Sequence, residues 1–179
     1  YFPFEDPRTH RFGYLDATGR IVVPAEFDHA DLFRAGRGLV ERDGRAGYID
    51  RRGDWAIPPR FELDPAFAND VAARPFWGGR AAVRAGGAWG FIDREGSWLI
   101  RPRFKGLDGF RLVGDFCEGL AWFSDGKHYG FIDAQGEVVV EPTYDDANDF
   151  GDGLAAVLVD GEWGFVDPEG RMRIRPDFD

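Results

Sequence analysis

The sequence predicts an all-β protein built as a tandem array of five short three-stranded antiparallel units. One motif recurs five times in a fixed register, and apolar residues alternate between its copies. The 25 glycines and 11 prolines are spread evenly along the 179 residues, which favours frequent turns and short strands over helices. We expect an open or curved stack of units, with a closed propeller-like ring as the alternative.

Composition is typical of a folded chain with a substantial core. The sequence is 44% hydrophobic with 17 phenylalanines, and its longest apolar run is far shorter than a membrane span. Cys117 is the single cysteine, so no intrachain disulfide is expected and a cytoplasmic location is favoured over a periplasmic or secreted one. A first residue Tyr1 instead of Met fits a processed product or a piece of a longer chain.

The recurring motif reads aromatic, Gly, aromatic, aliphatic, Asp, two free positions and Gly. Its first glycines are residues 13, 47, 90, 130 and 164, so the spacings are 34, 43, 40 and 34 residues. We therefore expect a single repeat domain over residues 1–179. Its predicted units are residues 1–32, 33–75, 76–115, 116–149 and 150–179.

Each unit is predicted to contain three strands joined by two tight turns. In the last unit the strands are residues 154–159, 163–166 and 172–174. Asp160-Gly161 suits a two-residue hairpin turn, in which both central residues take positive φ. In the second turn, the Asp167 carboxylate accepts backbone hydrogen bonds and Gly170 takes the left-handed conformation.

The glycine in the middle of each motif is unfavourable for a strand, so we expect another backbone or a ring to lie against it. The flanking rings, such as Trp163 and Phe165, project to one face of the strand and Val166 to the other. Both faces must therefore be covered by neighbouring units, and a single unit is not expected to fold alone.

The strongest motif copies, Trp89-Gly90-Phe91-Ile92-Asp93 and Trp163-Gly164-Phe165-Val166-Asp167, resemble bacterial WG-repeat proteins. The resemblance covers nearly the whole chain, although Phe12, Ala46 and Tyr129 replace the tryptophan in three copies. It implies an all-β repeat array used for binding, and it carries over no catalytic residue.

Charge is strongly segregated along the chain. Residues 115–169 contain 14 acidic residues and one basic residue, Lys127, whereas residues 1–114 contain 18 basic and 16 acidic residues. The arginines of the first half are matched by acidic neighbours, which argues against a nucleic-acid interface. The acidic end is interpreted as a surface that steers a basic protein, the alternative being a solvated face that gives solubility.

Two connectors, residues 62–75 and 105–115, are longer than the others, and insertions in repeat proteins often carry binding. The alternative is that their apolar residues tuck against the stack. The candidate partner-binding residues are Phe67, Phe110, Asp115, Glu118, Asp125, Asp145, Asp146, Asp149 and Asp152.

The sequence contains few candidate residues or motifs for catalysis or for binding a metal or a cofactor. His10, His29 and His128 lie in different units without metal-ligand spacing. Residues 145–153 resemble a calcium loop, but Phe150 occupies a ligand position and no terminal Glu follows. No phosphate loop or Gly-x-Ser-x-Gly motif is present. We expect no metal, no cofactor and no enzymatic activity.

The favoured function is a non-enzymatic protein-binding module, such as an inhibitor or immunity partner of a toxin. The first alternative is a cell-envelope or carbohydrate-binding array that stacks sugar rings on exposed indoles. Its candidate residues are Trp55, Trp77, Trp98 and Trp122. The second alternative is an enzyme with its site on a connector.

Overall fold

The computed structural model describes residues 1–62, 73–104 and 113–178. Within these ranges the chain forms seventeen β-strands and no helix, which confirms the predicted all-β class. The strands make five antiparallel sheets of three or four strands, and none of these sheets closes into a barrel. Phe67 and Phe110 lie outside the described residues.

Each sheet contains one copy of the motif. The sheet orders are β1-β2-β3, β4-β5-β6-β7, β10-β9-β8, β11-β12-β13 and β14-β15-β16-β17. The strands are β1 Phe2–Glu5, β2 Phe12–Leu15, β3 Ile21–Phe27, β4 His29–Ala30, β5 Gly38–Arg42, β6 Arg45–Ile49, β7 Trp55–Glu62, β8 Ala81–Ala85, β9 Ala88–Ile92, β10 Trp98–Phe104, β11 Leu120–Ser124, β12 Tyr129–Asp133, β13 Val138–Tyr144, β14 Asp146–Ala147, β15 Ala155–Val159, β16 Glu162–Val166 and β17 Met172–Phe178.

Two sheets contain a fourth strand that the sequence did not predict. The two-residue strands β4 and β14 pair with the first strand of the following hairpin. An aspartate before each one fastens it there: Asp28 Oδ2 accepts the Asp43 N–H at 2.7 Å, and Asp145 Oδ2 accepts the Asp160 N–H at 2.9 Å. The second and fifth sheets therefore have four strands where three were expected.

The predicted turn chemistry is confirmed. Asp160 and Gly161 have φ values of 52° and 88°, as a two-residue hairpin turn of this kind requires. In the second type of turn, Asp93 Oδ1 accepts the N–H groups of Glu95 at 3.0 Å and Ser97 at 2.7 Å, and Gly96 closes the turn with φ 84°. Each turn therefore places the two strands that it joins side by side in the sheet.

The motif glycines make room for the backbone of the neighbouring strand, as the sequence predicted. An ideal Cβ on Gly47 would lie 2.8 Å from the Ile57 carbonyl oxygen and 2.8 Å from the Pro59 nitrogen. The register between β6 and β7 shifts at this place, so the β7 backbone bulges towards the glycine. Gly13, Gly90, Gly130 and Gly164 meet the backbone of their partner strands in the same way.

The chain divides into two compact units, unit 1 (residues 1–86 and 91–98) and unit 2 (residues 87–90 and 99–179). Within each unit, consecutive repeats are joined by edge-to-face ring pairs. The Tyr14–Phe33 and Tyr48–Phe76 pairs in unit 1, and the Phe131–Phe150 pair in unit 2, all have centroids 4.8 Å apart. Such pairs add to the stability that burial alone provides.

Hydrogen bonds strengthen the same junctions between repeats. The Tyr48 hydroxyl donates to the Arg74 carbonyl at 2.6 Å, and burial of this ring raises the pKa of its hydroxyl. Arg60 donates to the Gly96 carbonyl in unit 1, and Arg103 donates to the Gly136 carbonyl in unit 2. Consecutive repeats therefore contact each other through rings and through hydrogen bonds to backbone carbonyls, as modules that share a core must.

Candidate partner-binding surface

All seven predicted acidic site residues within the described ranges belong to unit 2. Five are exposed, namely Glu118, Asp125, Asp145, Asp149 and Asp152, whereas Asp115 and Asp146 are partly buried. Unit 2 contains 17 acidic and 8 basic residues, compared with 15 and 14 in unit 1. The negative charge predicted from the sequence is therefore concentrated on one compact body.

Glu118 and Asp152 occupy equivalent turns of consecutive repeats. Both have φ 53° and are followed by a left-handed glycine, in tight turns closed by the pairs Cys117–Leu120 and Gly151–Leu154. Glu118 Oε2 accepts the Gly153 N–H at 2.9 Å, so its carboxylate reaches across to the next repeat. This bond brings the Glu118 carboxylate next to the backbone of the turn that carries Asp152.

Asp149 and Asp115 lie along the same pair of segments. Asp149 Oδ1 is 2.8 Å from the position that a Cβ on Gly114 would take, and Gly114 directly precedes Asp115. Segments 114–118 and 149–153 are thus in contact near both ends. We call the four acidic residues on them, Asp115, Glu118, Asp149 and Asp152, the acidic ridge.

The remaining predicted acids stabilise loops. Asp125 Oδ1 accepts the N–H groups of Lys127 and His128 at 2.8 and 2.9 Å. The hydrogen bond from the His128 N–H, followed by that from Lys127, lowers the pKa of this carboxyl. Asp146 Oδ1 accepts the Ala147 N–H at 2.8 Å, and Asp145 fastens strand β14 as described above.

Within the described part of unit 2, Arg171 forms two ion pairs. Arg171 Nε pairs with Asp167 Oδ2 at 2.8 Å, and its Nη2 pairs with Glu169 at 2.7 Å. Burial opposes ionisation of Asp167, but the hydrogen bonds and charge of Arg171 outweigh it and lower the pKa of this carboxyl. Within the described ranges no ion pair involves Glu118 or Asp152, so their carboxylates stay available to a cationic partner.

Among the described residues, no group of three or more His, Cys, Asp or Glu side chains is placed to hold a metal ion. The part of the chain covered by the three described ranges contains no helix long and apolar enough to cross a membrane.

The four tryptophans proposed for sugar stacking have different environments. Trp122 is 6% exposed, and Trp55 and Trp98 are partly buried against the rings of Phe27 and Phe61. Trp77 is 47% exposed, and the guanidinium carbon of Arg34 lies 5.4 Å from its ring centre. Only Trp77 of the four is therefore positioned to stack on a ligand.

The sequence comparison settles the family. The family model described as "WG containing repeat" matches residues 12–45, 47–87, 89–127, 129–163 and 163–179. The chain belongs to this family. The matched segments begin at or next to the motif in all five repeats, so the resemblance inferred from Trp89-Gly90 and Trp163-Gly164 is confirmed for the WG repeat chain as a whole.

Two solved structures are similar to this WG repeat chain, and the first of them shows a related fold. One is described as a streptogramin B lyase structure, with 14% identity and a TM-score of 0.51 over 97% of this chain and 64% of that chain. The WG repeat chain thus spans less than two thirds of the lyase. Another is a protein of unknown function from Bacteroides caccae, with 17% identity and a TM-score of 0.39 over 91% and 67% of the two chains. No curated protein matches the WG repeat chain.

Proposed function

We propose that this WG repeat chain is a non-enzymatic binding module that holds a basic protein against the acidic ridge. The observation that carries the proposal is the ridge itself: four carboxylates from two adjacent segments of a unit with 17 acidic and 8 basic residues. The inserted connectors are proposed to contact the same partner. This part of the proposal rests on the sequence alone, since residues 63–72 and 105–112 lie outside the described residues.

The ridge is suited to capture because its backbone is fixed before a partner arrives. Glu118 and Asp152 extend from tight turns, and the bond from the Gly153 N–H holds the Glu118 carboxylate at the junction between repeats. Preorganised groups lose less conformational freedom on binding. The summed negative potential also accelerates encounter with a positively charged surface.

The negative potential of the acidic ridge also supports an inhibitory or immunity role. A toxin that acts on an anionic substrate needs a cationic surface, and an acidic ridge competes with the substrate for that surface. Exposed charges are largely screened beyond about 8 Å at physiological salt, so the attraction of the ridge is mostly confined to that distance. Binding is therefore expected to weaken as salt is added.

The test is affinity capture from the native host with identification by mass spectrometry, using two matched variants. In the ridge-amide variant, the four ridge residues become Asn or Gln. In the flank-amide variant, four exposed acids of unit 2 outside the ridge are changed in the same way: Glu137→Gln, Glu141→Gln, Asp160→Asn and Glu162→Gln. Both variants remove four negative charges, and Asn tolerates the left-handed backbone at Asp152 and Asp160.

We expect the wild-type chain and the flank-amide variant to capture the same basic protein, and the ridge-amide variant to lose it. A partner of acidic composition, or one retained equally by both variants, contradicts the proposal. Thermal unfolding of the three proteins provides the control for folding.

A further inference from the structure

Unit 1 carries a positively charged patch on turns equivalent to those of the acidic ridge. Residues 34–37 and 77–80 are tight turns of consecutive repeats, closed by the pairs Arg34–Arg37 and Trp77–Arg80. The Arg34 guanidinium carbon lies 5.4 Å from the centre of the Trp77 ring. The two turns therefore place an arginine and an exposed indole against each other.

A third arginine joins them from the Asp93-to-Gly96 turn. Arg37 Nε and Nη2 donate to the Arg94 carbonyl at 3.3 and 3.1 Å. The Nη2 atom of Arg94 lies 3.2 Å from the position of a Cβ on Gly36. Arg34, Arg37, Arg94 and Trp77 thus meet at one turn, and we call them the arginine–indole patch.

The guanidinium groups of this patch have no carboxylate partner among the residues that the structure describes. Elsewhere in unit 1, Arg11 pairs with Asp28 at 2.7 Å and Arg42 pairs with Glu26 at 2.9 Å. Within the described ranges, no ion pair involves Arg34, Arg37 or Arg94. Guanidinium groups held together without a counter-charge create a positive potential that favours an anion.

The indole adds a second recognition element. Trp77 is 47% exposed, and the apolar face of an aromatic ring packs favourably on the C–H face of a sugar. A guanidinium group matches the geometry of a carboxylate, sulfate or phosphate group. A ring and an anionic group on one small molecule would therefore satisfy both parts of the patch.

We propose that the arginine–indole patch binds a short anionic saccharide. Its sugar ring stacks on Trp77, and its carboxylate, sulfate or phosphate group lies on the guanidinium groups of Arg34 and Arg94. A short ligand is favoured over a nucleic acid because unit 1 has 15 acidic and 14 basic residues, so it offers no extended basic stripe for a polyanion. The patch shares no residue with the acidic ridge, so this proposal does not rest on the proposed function.

Calorimetric titration of the whole chain tests the proposal with pairs of anionic and neutral sugars. The probes are glucuronic acid, glucose 6-phosphate and N-acetylglucosamine 6-sulfate, with glucose and N-acetylglucosamine as neutral counterparts. Inorganic sulfate and a thymidine oligonucleotide complete the set. We expect at least one anionic sugar to bind with a Kd of about 1 mM or lower, and its neutral counterpart to bind about tenfold more weakly. The sugar that binds best identifies the anionic group.

Variants separate the two recognition elements. Arg34→Gln and Arg94→Gln should each weaken binding of the anionic sugar about tenfold, whereas Arg20→Gln and Arg52→Gln, exposed arginines outside the patch, should leave it unchanged. Trp77→Ala should weaken binding, and Trp77→Phe should retain most of it. Equal affinity for neutral sugars, no binding of any anionic sugar, tighter binding of the oligonucleotide, or insensitivity to the patch variants would overturn the proposal.

Discussion

Replacement of Gly47 by alanine is expected to be among the most damaging single changes in unit 1. The added Cβ would lie 2.8 Å from the Ile57 carbonyl oxygen and 2.8 Å from the Pro59 nitrogen. Both atoms belong to the main chain of β7, which is paired with β6 on either side of the glycine. The clash therefore cannot be relieved by rotation of a side chain.

The magnitude follows from the geometry. Overpacking a well-packed site typically costs about 1–3 kcal/mol, and a main-chain obstacle places Gly47→Ala at the upper end, about 3 kcal/mol. This is a large part of the roughly 5–15 kcal/mol that stabilises an ordinary domain. The loss would appear in urea denaturation as a lower midpoint with an unchanged slope.

Gly151→Ala is the matched control. A Cβ on Gly151 would meet nothing within 4 Å, and its φ lies outside the left-handed range. We expect the free energy of unfolding to change by no more than about 0.5 kcal/mol. The reasoning would be refuted if Gly47→Ala changed the free energy of unfolding as little as Gly151→Ala. The neighbouring strand would then not require a residue without a Cβ at position 47.

Two further predictions concern polar groups. Tyr48→Phe should lower the free energy of unfolding by about 1–2 kcal/mol, because the buried hydroxyl donates to the Arg74 carbonyl at 2.6 Å; urea denaturation of the two proteins measures the difference, and equal midpoints would contradict it. Asp125 has a lowered pKa in the folded chain, so its contribution to stability is present above the unfolded pKa of about 3.9 and is lost as the pH falls through the folded pKa. The stability difference between wild type and Asp125→Ala should therefore shrink between about pH 5 and pH 2, and a difference that grows on acidification would refute the assignment.

Features determined by nearby residues could be predicted from the sequence. The Asp93-to-Gly96 turn depends on a carboxylate and a left-handed glycine three residues apart, and the Gly47 gap follows from a glycine in the middle of a strand. Strands β4 and β14 were missed because two residues are too short to show an alternating pattern. Their position depends on the Asp28 and Asp145 carboxylates, which reach the turns of the next hairpin 15 residues away.

The charged surfaces could be predicted only in part, because ion pairing depends on distances in the folded chain. The sequence suggested that acidic neighbours neutralise the arginines of the first half. Arg42 does form an ion pair with Glu26. Arg94, however, lies against Gly36 of another repeat and has no carboxylate partner within the described residues. Likewise, composition located the acidic segment, but it could not separate the loop-stabilising Asp125 and Asp146 from the ridge residue Glu118.

The most direct test of the central claim is the affinity of the purified host partner for wild type, the ridge-amide variant and the flank-amide variant at low and high salt. We expect the ridge-amide variant to bind at least about tenfold more weakly and to lose most of the salt dependence, because the close charge pairs are gone. The flank-amide variant should stay within about threefold of wild type. Equal weakening in both variants would show that net charge alone, and not the ridge, holds the partner.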